Sequence, residues 1–253
     1  MNTIFDFQFT RDLITEMADL EKAFKYSLQP WWDSINSYVN DLKNDLTWTI
    51  LPLVVMSIYK YVGHNRQFCI TMSNIFRYCY LAHRIHALVK DDEEGQQHDR
   101  QLQFNILIGD YISGYILKAL VDIQADSQVN NFAVMIAEVN EGMVIGQKLN
   151  GNCTEVIQKT RVPFYATAFL TAAQLAGYDA QTSSLYQKMG FHLGMSLELG
   201  QVGLIKAAVD HFRQCQAMFM QINQRNYRPN SNLEKALNDL DSYFCHQGAY
   251  MAI

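Results

Sequence analysis

The sequence predicts an all-α protein that folds as a single domain over residues 1–253. Hydrophobic residues make up 49% of the chain, which is enough for a sizeable core. Only four prolines and thirteen glycines interrupt it, which suits long helices better than a many-stranded sheet. Apolar residues also recur at the three- and four-residue spacing of helices in nearly every segment.

Two amphipathic helices are predicted before residue 45. The first covers residues 9–28 and carries its apolar residues at helical spacing. Gln29 and Pro30 end it, and the second begins at Trp31 and Trp32. This tryptophan pair fits core packing against the next helix and also fits a contact with a partner.

The middle of the chain is predicted as a helix over residues 46–63 followed by two helices joined by an acidic break. The first of the pair ends in the polar run 90–95, and the second restarts near His98. Gly109 and Gly114 lie inside the second helix, where each glycine costs about 1 kcal/mol relative to alanine. We therefore expect a close backbone approach at these positions.

Further helices are predicted to fill the C-terminal half. Thr154 is the expected N-cap of a helix that Pro163 kinks, and Ser231 or Asn232 is expected to cap the last helix. The predicted helices cover residues 130–150, 154–177, 181–205, 206–223 and 233–250.

Composition excludes several classes of protein. The net charge of −5 is mild and no basic arm is present, so no nucleic-acid partner is expected. Of two uncharged apolar stretches, 46–59 is too short for the roughly 20 residues of a bilayer span and is broken by Pro52. The longer stretch 162–178 contains Pro163 and polar residues, so a buried core helix fits it better. No signal peptide is evident, and the five cysteines show no metal-type pairing and are expected to be reduced and mostly buried. We expect a cytoplasmic protein, and peripheral membrane contact stays open.

Asp91 and Asp92 follow an apolar helix, and the next helix contains Gly109-Asp110-Tyr111. This layout resembles the trans-isoprenyl diphosphate synthases, in which a DDxxD motif holds magnesium against the allylic diphosphate. In this sequence the third acidic position is Gly95. The run 100–115 is more similar to component I of heptaprenyl diphosphate synthase, the small non-catalytic subunit of a two-component enzyme. The resemblance implies a bundle of the isoprenoid synthase type with about ten helices.

This sequence lacks most of the charged residues that bind diphosphate and magnesium in the enzymes. They have a Gly-Lys-Arg-x-Arg-Pro segment that binds isopentenyl diphosphate, whereas residues 47–51 ahead of Pro52 carry no cation. Their second aspartate-rich motif corresponds to residues 197–205, which retain one carboxylate, Glu198. Magnesium binds through carboxylates plus substrate phosphates, so this segment cannot hold it as the enzymes do.

The resemblance therefore implies a non-catalytic transferase subunit of a heteromeric trans-polyprenyl diphosphate synthase, heptaprenyl-like, that supports long-chain elongation for menaquinone or other quinone side chains. The catalytic partner would carry the DDxxD motifs, Mg²⁺ and the prenyl diphosphates, and this chain alone would bind no cofactor. The expected interface lies in the central helices at Ile106, Tyr111, Ile112 and Tyr115. Residues 1–45 would contribute to packing or to the subunit interface.

Two alternatives stay open. A standalone prenyltransferase would use Asp91 and Asp92 for catalysis and Asp91, Asp92 and Glu94 as metal ligands, although the run is equally an ordinary solvated loop. A non-enzymatic helical protein could instead bind prenyl ligands. Lys159 and Thr160 match a Lys-Thr pair that contacts the allylic diphosphate in the enzymes, which makes them substrate-binding candidates. The alternative is that Lys159 is an ordinary surface lysine. Glu138 and Glu141 could share a face as metal ligands, but a solvated face is favoured.

Overall fold

The computed structural model describes residues 8–89, 100–149, 151–225 and 228–250, and these form helices and connecting turns without a strand. The predicted all-α class is confirmed. Eleven of the described α-helices have eight residues or more, close to the expected ten. In chain order they are α1 Gln8–Asp12, α2 Ile14–Ser27, α3 Trp32–Asp41, α4 Leu46–Val62, α5 Arg66–His86, α6 Arg100–Asp122, α7 Val129–Lys148, α8 Cys153–Thr160, α9 Val162–Leu175, α10 Ala180–Gln201, α11 Ile205–Arg225 and α12 Asn232–Tyr250.

The helix predicted over residues 154–177 is two helices. Arg161, with φ −118° and ψ −47°, separates the two helices. Helix α9 starts at Val162 with Pro163 in its first turn, where a missing N–H leaves no bond unmade. Thr154 as the N-cap of α8 was wrong, because Asn152 Oδ1 accepts the backbone N–H of Glu155 at 2.9 Å. The expected capping by Ser231 is confirmed, since its hydroxyl accepts the backbone N–H of Glu234 at 3.1 Å.

The core lies between α4, α5, α9 and α10 and is rich in fully buried aromatic side chains, among them Tyr59, Phe76, Tyr80, Tyr165 and Phe169. The closest approach is between α9 and α10. A Cβ on Gly190 would lie 2.6 Å from the carbonyl oxygen of Tyr165, and one on Gly194 would lie 2.7 Å from the Tyr165 ring. Only glycine at these two positions allows the helices to pack at this distance.

The N-terminal helices are tied to the body of the fold through Arg77. This side chain on α5 is buried, and its guanidinium lies 4.4 Å from the ring centroid of Phe24 on α2 and 4.3 Å from that of Trp48 on α4. Its Nη1 atom is 2.8 Å from a carboxylate oxygen of Glu21. The ion pair and the two ring contacts offset the cost of burying the charge.

Helix α6 packs along α5 through a stripe that includes Ile108, Ile112, Ile116 and Leu120. Among the described residues it is the helix long and apolar enough to cross a bilayer by length and composition. The expected close approach occurs at Gly109, where a Cβ would lie 1.9 Å from the His86 ring of α5. The close approach expected at Gly114 was wrong, because among the described residues no atom beyond its chain neighbours and the backbone of α6 itself lies within 4 Å of that Cβ position.

The cysteines are all free among the described residues. Cys69, Cys79 and Cys215 are buried as expected, whereas Cys153 and Cys245 are exposed.

Candidate functional site

Asp45 is the centre of a hydrogen-bond network at the start of α4. Its carboxylate caps α4 by accepting the backbone N–H of Trp48 at 3.1 Å. It also accepts from the Tyr80 hydroxyl at 2.8 and 2.9 Å and from Arg161 Nη1 at 2.9 Å to each oxygen. A carboxylate that is paired with an arginine therefore lies at the start of α4, just ahead of residues 47–51.

Glu198 belongs to the same hydrogen-bond network, to which Thr47 connects it. Its Oε1 atom accepts hydrogen bonds from the Thr47 hydroxyl at 2.7 Å and from the Tyr165 hydroxyl at 2.8 Å. Thr47 Oγ1 in turn accepts from Arg161 Nη1 at 2.9 Å. Burial raises the pKa of the Glu198 carboxyl, although Arg161 and the two hydroxyls oppose this shift.

A cavity of about 470 Å³ opens beside this network, between the C-terminal end of α5, α7 and α8. Its polar lining includes His83, Arg84, Gln147, Thr160 and Arg161, and no Asp or Glu is among its described lining residues. Its apolar lining includes Met143, Val156 and Val202. The volume is within the range of small-molecule pockets.

The sequence had not singled out His83 or Arg84 as functional residues. His83 Nδ1 and Arg84 Nε are both buried and have no hydrogen-bond partner within the described residues. Burial, with Arg84 and His86 nearby, lowers the pKa of His83 to about 4. The available signal was a pair of polar residues inside the apolar stripe of α5, next to the fully buried Leu81 and Ile85.

Lys159 and Thr160 do not converge on one site. Lys159 Nζ lies 2.9 Å from Glu141 Oε2, which raises the pKa of Lys159, and the residue lines a separate cavity of about 230 Å³. Thr160 lines the 470 Å³ cavity, but its hydroxyl donates to the backbone carbonyl of Val156 at 2.7 Å. The expected pair is therefore divided between two surfaces.

The acidic run that carries Asp91, Asp92, Glu93 and Glu94, together with Asp99, lies outside the described residues. Within the part of the chain that the structure does describe, no group of three or more His, Cys, Asp or Glu side chains could hold a metal ion.

The expected interface residues fall on different faces of α6. Ile106 is 41% exposed and Tyr111 is 38% exposed, whereas Ile112 is fully buried against the bundle and cannot contact a partner in this arrangement. Tyr115 is half-buried, with its ring 5.2 Å from that of Tyr78. The exposed face of α6 continues the apolar pattern, as the large exposed side chains Ile106, Leu107, Tyr111, Leu117 and Val121 are spaced at helical intervals.

No protein-family model and no curated protein sequence matches the chain significantly. Solved structures do match it along most of its length. A polyprenyl synthase from Caulobacter crescentus, complexed with calcium and isoprenyl diphosphate, superposes with a TM-score of 0.72 at 14% identity, covering 93% of this chain and 97% of that one.

Two further similar structures are, by their descriptions, parts of plant geranyl diphosphate synthases. The geranyl diphosphate synthase small subunit from Antirrhinum majus gives a TM-score of 0.64 at 15% identity, over 94% of this chain and 98% of that one. A mint deletion mutant of heterotetrameric geranyl pyrophosphate synthase gives 0.55 at 14% identity, over 82% and 97%. These solved structures are trans-isoprenyl diphosphate synthases and a small subunit, and the chain has the isoprenoid synthase fold.

Proposed function

We propose that this chain is a non-catalytic subunit of a heteromeric trans-polyprenyl diphosphate synthase. It pairs in the cytoplasm with a catalytic subunit that carries the DDxxD motifs and the Mg²⁺, and it supports elongation to a long, heptaprenyl-like product. The fold similarity to a small subunit and to a heterotetrameric synthase supports a subunit role. The finer assignment to the heptaprenyl and menaquinone branch derives from the resemblance of residues 100–115.

The state of Glu198 is the observation that carries the proposal. Ionising an allylic diphosphate requires cations around its phosphates. At the position of the enzymes' second metal site, the carboxylate of Glu198 is buried and hydrogen-bonded to Thr47 and Tyr165. Glu198 is the one carboxylate in residues 197–205, whereas magnesium needs several carboxylates together with substrate phosphates. At the start of α4, Arg161 forms an ion pair with Asp45. The charge of Arg161 is therefore partly neutralised and is less available to a diphosphate.

The exposed apolar face of α6 supports the proposal that the chain pairs with a catalytic subunit. Leu107 is 68% exposed and Leu117 is 51% exposed, and Gly114 lies between them with open space at its Cβ position. A glycine inside a helix costs about 1 kcal/mol relative to alanine, and no described neighbour within the chain requires it. A helix of the catalytic subunit that packs closely over Gly114 accounts for both the glycine and the apolar side chains around it.

Prenyl transfer tests the proposal when the purified chain is assayed with Mg²⁺, isopentenyl diphosphate and farnesyl diphosphate, alone and with a DDxxD-bearing synthase subunit from the same source. We expect no turnover by the chain alone and long-chain product from the mixture that neither component makes by itself. Turnover by the isolated chain would overturn the proposal in favour of a standalone prenyltransferase. Product unchanged by adding the chain would also overturn it.

A further inference from the structure

Two histidines on neighbouring helices turn the same ring nitrogen toward each other. His192 Nδ1 on α10 lies 2.9 Å from His211 Nδ1 on α11, and the two ring centroids are 5.1 Å apart. Both side chains are half-buried, and neither lines the 230 Å³ cavity or the 470 Å³ cavity. Because 19 positions separate the two residues, no short sequence motif reports the pair.

The ring of Phe191 lies against both imidazoles. Its centroid is 5.3 Å from that of His192 and 6.1 Å from that of His211, and both contacts are edge to face. Helices α10 and α11 pack directly on each other, so the two histidines are held together by the bundle itself. A pair positioned in this way by its neighbours loses little freedom when it binds a ligand.

The facing nitrogens can be joined in two ways. A hydrogen bond joins them only when one Nδ1 carries a proton and the other does not. A metal ion joins them without a shared proton, because two neutral rings each offer a lone pair at Nδ1 and keep their proton at Nε2. Metal–nitrogen distances of about 2.0–2.1 Å around a tetrahedral ion put two imidazole nitrogens about 3.3 Å apart. The observed 2.9 Å is close to that spacing, so a small rotation of the rings admits an ion.

The kind of ligand selects the ion. Neutral imidazole suits Zn²⁺, Ni²⁺ and Cu²⁺, whereas Mg²⁺ and Ca²⁺ prefer oxygen ligands. Among the described residues, no group of three or more His, Cys, Asp or Glu side chains could hold a metal, so water completes the coordination of an ion at this pair. The half-buried position of both rings leaves room for that water.

The charges around the pair do not by themselves attract a cation. Asp210, next to His211, lies 3.7 Å from Arg213 across one helical turn. Lys188 lies one turn before His192 on α10. The affinity for an ion therefore depends on the two imidazoles.

We propose that His192 and His211 bind one divalent transition-metal ion of the Zn²⁺ class, which clamps α10 to α11. The ion is structural and is not a cofactor of prenyl transfer. It stabilises the fold because only the folded chain brings the two rings together. The site uses no residue of the proposed subunit function, so its test is made on the isolated chain without magnesium and can fail or succeed separately.

Isothermal titration calorimetry and thermal unfolding test the site with ZnCl₂ as the probe. The full chain is first stripped with EDTA, then dialysed and assayed at about pH 7.5, where imidazoles are neutral. We expect Zn²⁺ to raise the midpoint of thermal unfolding by about 3–6 °C at a roughly tenfold excess of free ion over its Kd. MgCl₂ at the same concentration should leave the midpoint unchanged.

Variants separate the pair from other groups that take Zn²⁺, such as the exposed thiols of Cys153 and Cys245. His192→Gln and His211→Gln should each weaken the titrated site about tenfold or more and remove the thermal shift, because one of two protein ligands is gone. His64→Gln is the matched control, since His64 is also half-buried but its Nε2 atom lies 3.3 Å from the carbonyl oxygen of Ala172.

Circular dichroism checks that each variant is folded. The proposal is overturned if the wild-type chain shows no shift with Zn²⁺, if Mg²⁺ gives the same shift, or if folded His192→Gln and His211→Gln bind and respond as His64→Gln does.

Discussion

Glu198 differs from a metal ligand because both of its described hydrogen bonds come from hydroxyls of the bundle, Thr47 and Tyr165. Such a carboxylate holds α10 against α4 and α9. Because desolvation raises its pKa, folding penalises the ionised form of this side chain. A neutral side chain of the same shape should therefore replace it at little cost.

Glu198→Gln should change the free energy of unfolding by less than about 1 kcal/mol, whereas Glu198→Ala should lower it by about 2–4 kcal/mol because it opens a cavity and leaves the Thr47 and Tyr165 hydroxyls without their acceptor. Urea denaturation at pH 7 measures both. If Glu198 instead bound a metal, Glu198→Gln would abolish prenyl transfer by the reconstituted synthase, an outcome that contradicts the structural role.

His83 should make stability depend on pH. Burial lowers its pKa to about 4, against about 6.5 in an unfolded chain. Between these values the unfolded chain binds more protons than the folded one, so the contribution is complete above about pH 6.5 and decreases as the pH falls towards 4. Arg84 and His86 on the same helix lower the His83 pKa further, and Asp45 opposes them.

The expected loss is about 3 kcal/mol of unfolding free energy across that window in a buffer without phosphate. His83→Gln should lose this slope. His86→Gln, which alters a side chain that is 42% exposed, should keep it. Urea denaturation at half-unit pH steps measures the difference, and parallel profiles for wild type and His83→Gln would contradict the assignment.

Helix α6 explains both what sequence patterns predict well and what they miss. Apolar periodicity correctly predicted a helix with a buried stripe, because every third or fourth residue faces the same side. It could not separate Tyr111 from Ile112 as interface residues. Adjacent residues point about 100° apart around a helix axis, and only the packed neighbour decides which direction is the core.

The same geometry divides Lys159 from Thr160, whose side chains reach different cavities from adjacent positions of α8. The network around Asp45 was unpredictable for a different reason. It joins residues separated by more than a hundred positions, such as Asp45 and Arg161, and no local pattern reports such a contact.

The two glycines of α6 should respond oppositely to alanine. Gly114→Ala should raise the unfolding free energy of the isolated chain by about 1 kcal/mol, since no described atom outside the local backbone of α6 lies within 4 Å of the new methyl group. Gly109→Ala should give stability at or below wild type, because its methyl group displaces the His86 ring. Thermal unfolding of both variants measures this. A destabilised Gly114→Ala variant would contradict the open surface.

The exposed face of α6 should be required for pairing. Leu107→Glu and Tyr111→Glu place charges where the partner helix packs, so each should weaken the heteromer at least tenfold while the isolated chain stays folded. Met220→Glu is the control, because Met220 is 64% exposed on α11. Size-exclusion chromatography with the catalytic subunit gives the readout. Equal pairing by all three variants would place the interface elsewhere.

For the whole molecule, the fold is shared with prenyl diphosphate synthases at about 14% identity, and function depends on the sites that the fold carries. The fold class could be predicted from composition and periodicity. The substitutions at the start of α4 and in α10 could be read from the sequence by comparison with the enzymes' motifs. What those positions do instead, with Asp45 bound to Arg161 and Glu198 enclosed by hydroxyls, required the three-dimensional arrangement.

The most direct test asks which subunit carries the chemistry in the reconstituted synthase. Prenyl transfer is measured with Asp91→Ala/Asp92→Ala in this chain, and separately with alanines in the first DDxxD motif of the catalytic partner. The account predicts that the first complex keeps most of its activity and the second loses it. Loss of turnover in the first complex, with normal pairing, would show that this chain contributes to catalysis and would contradict the account.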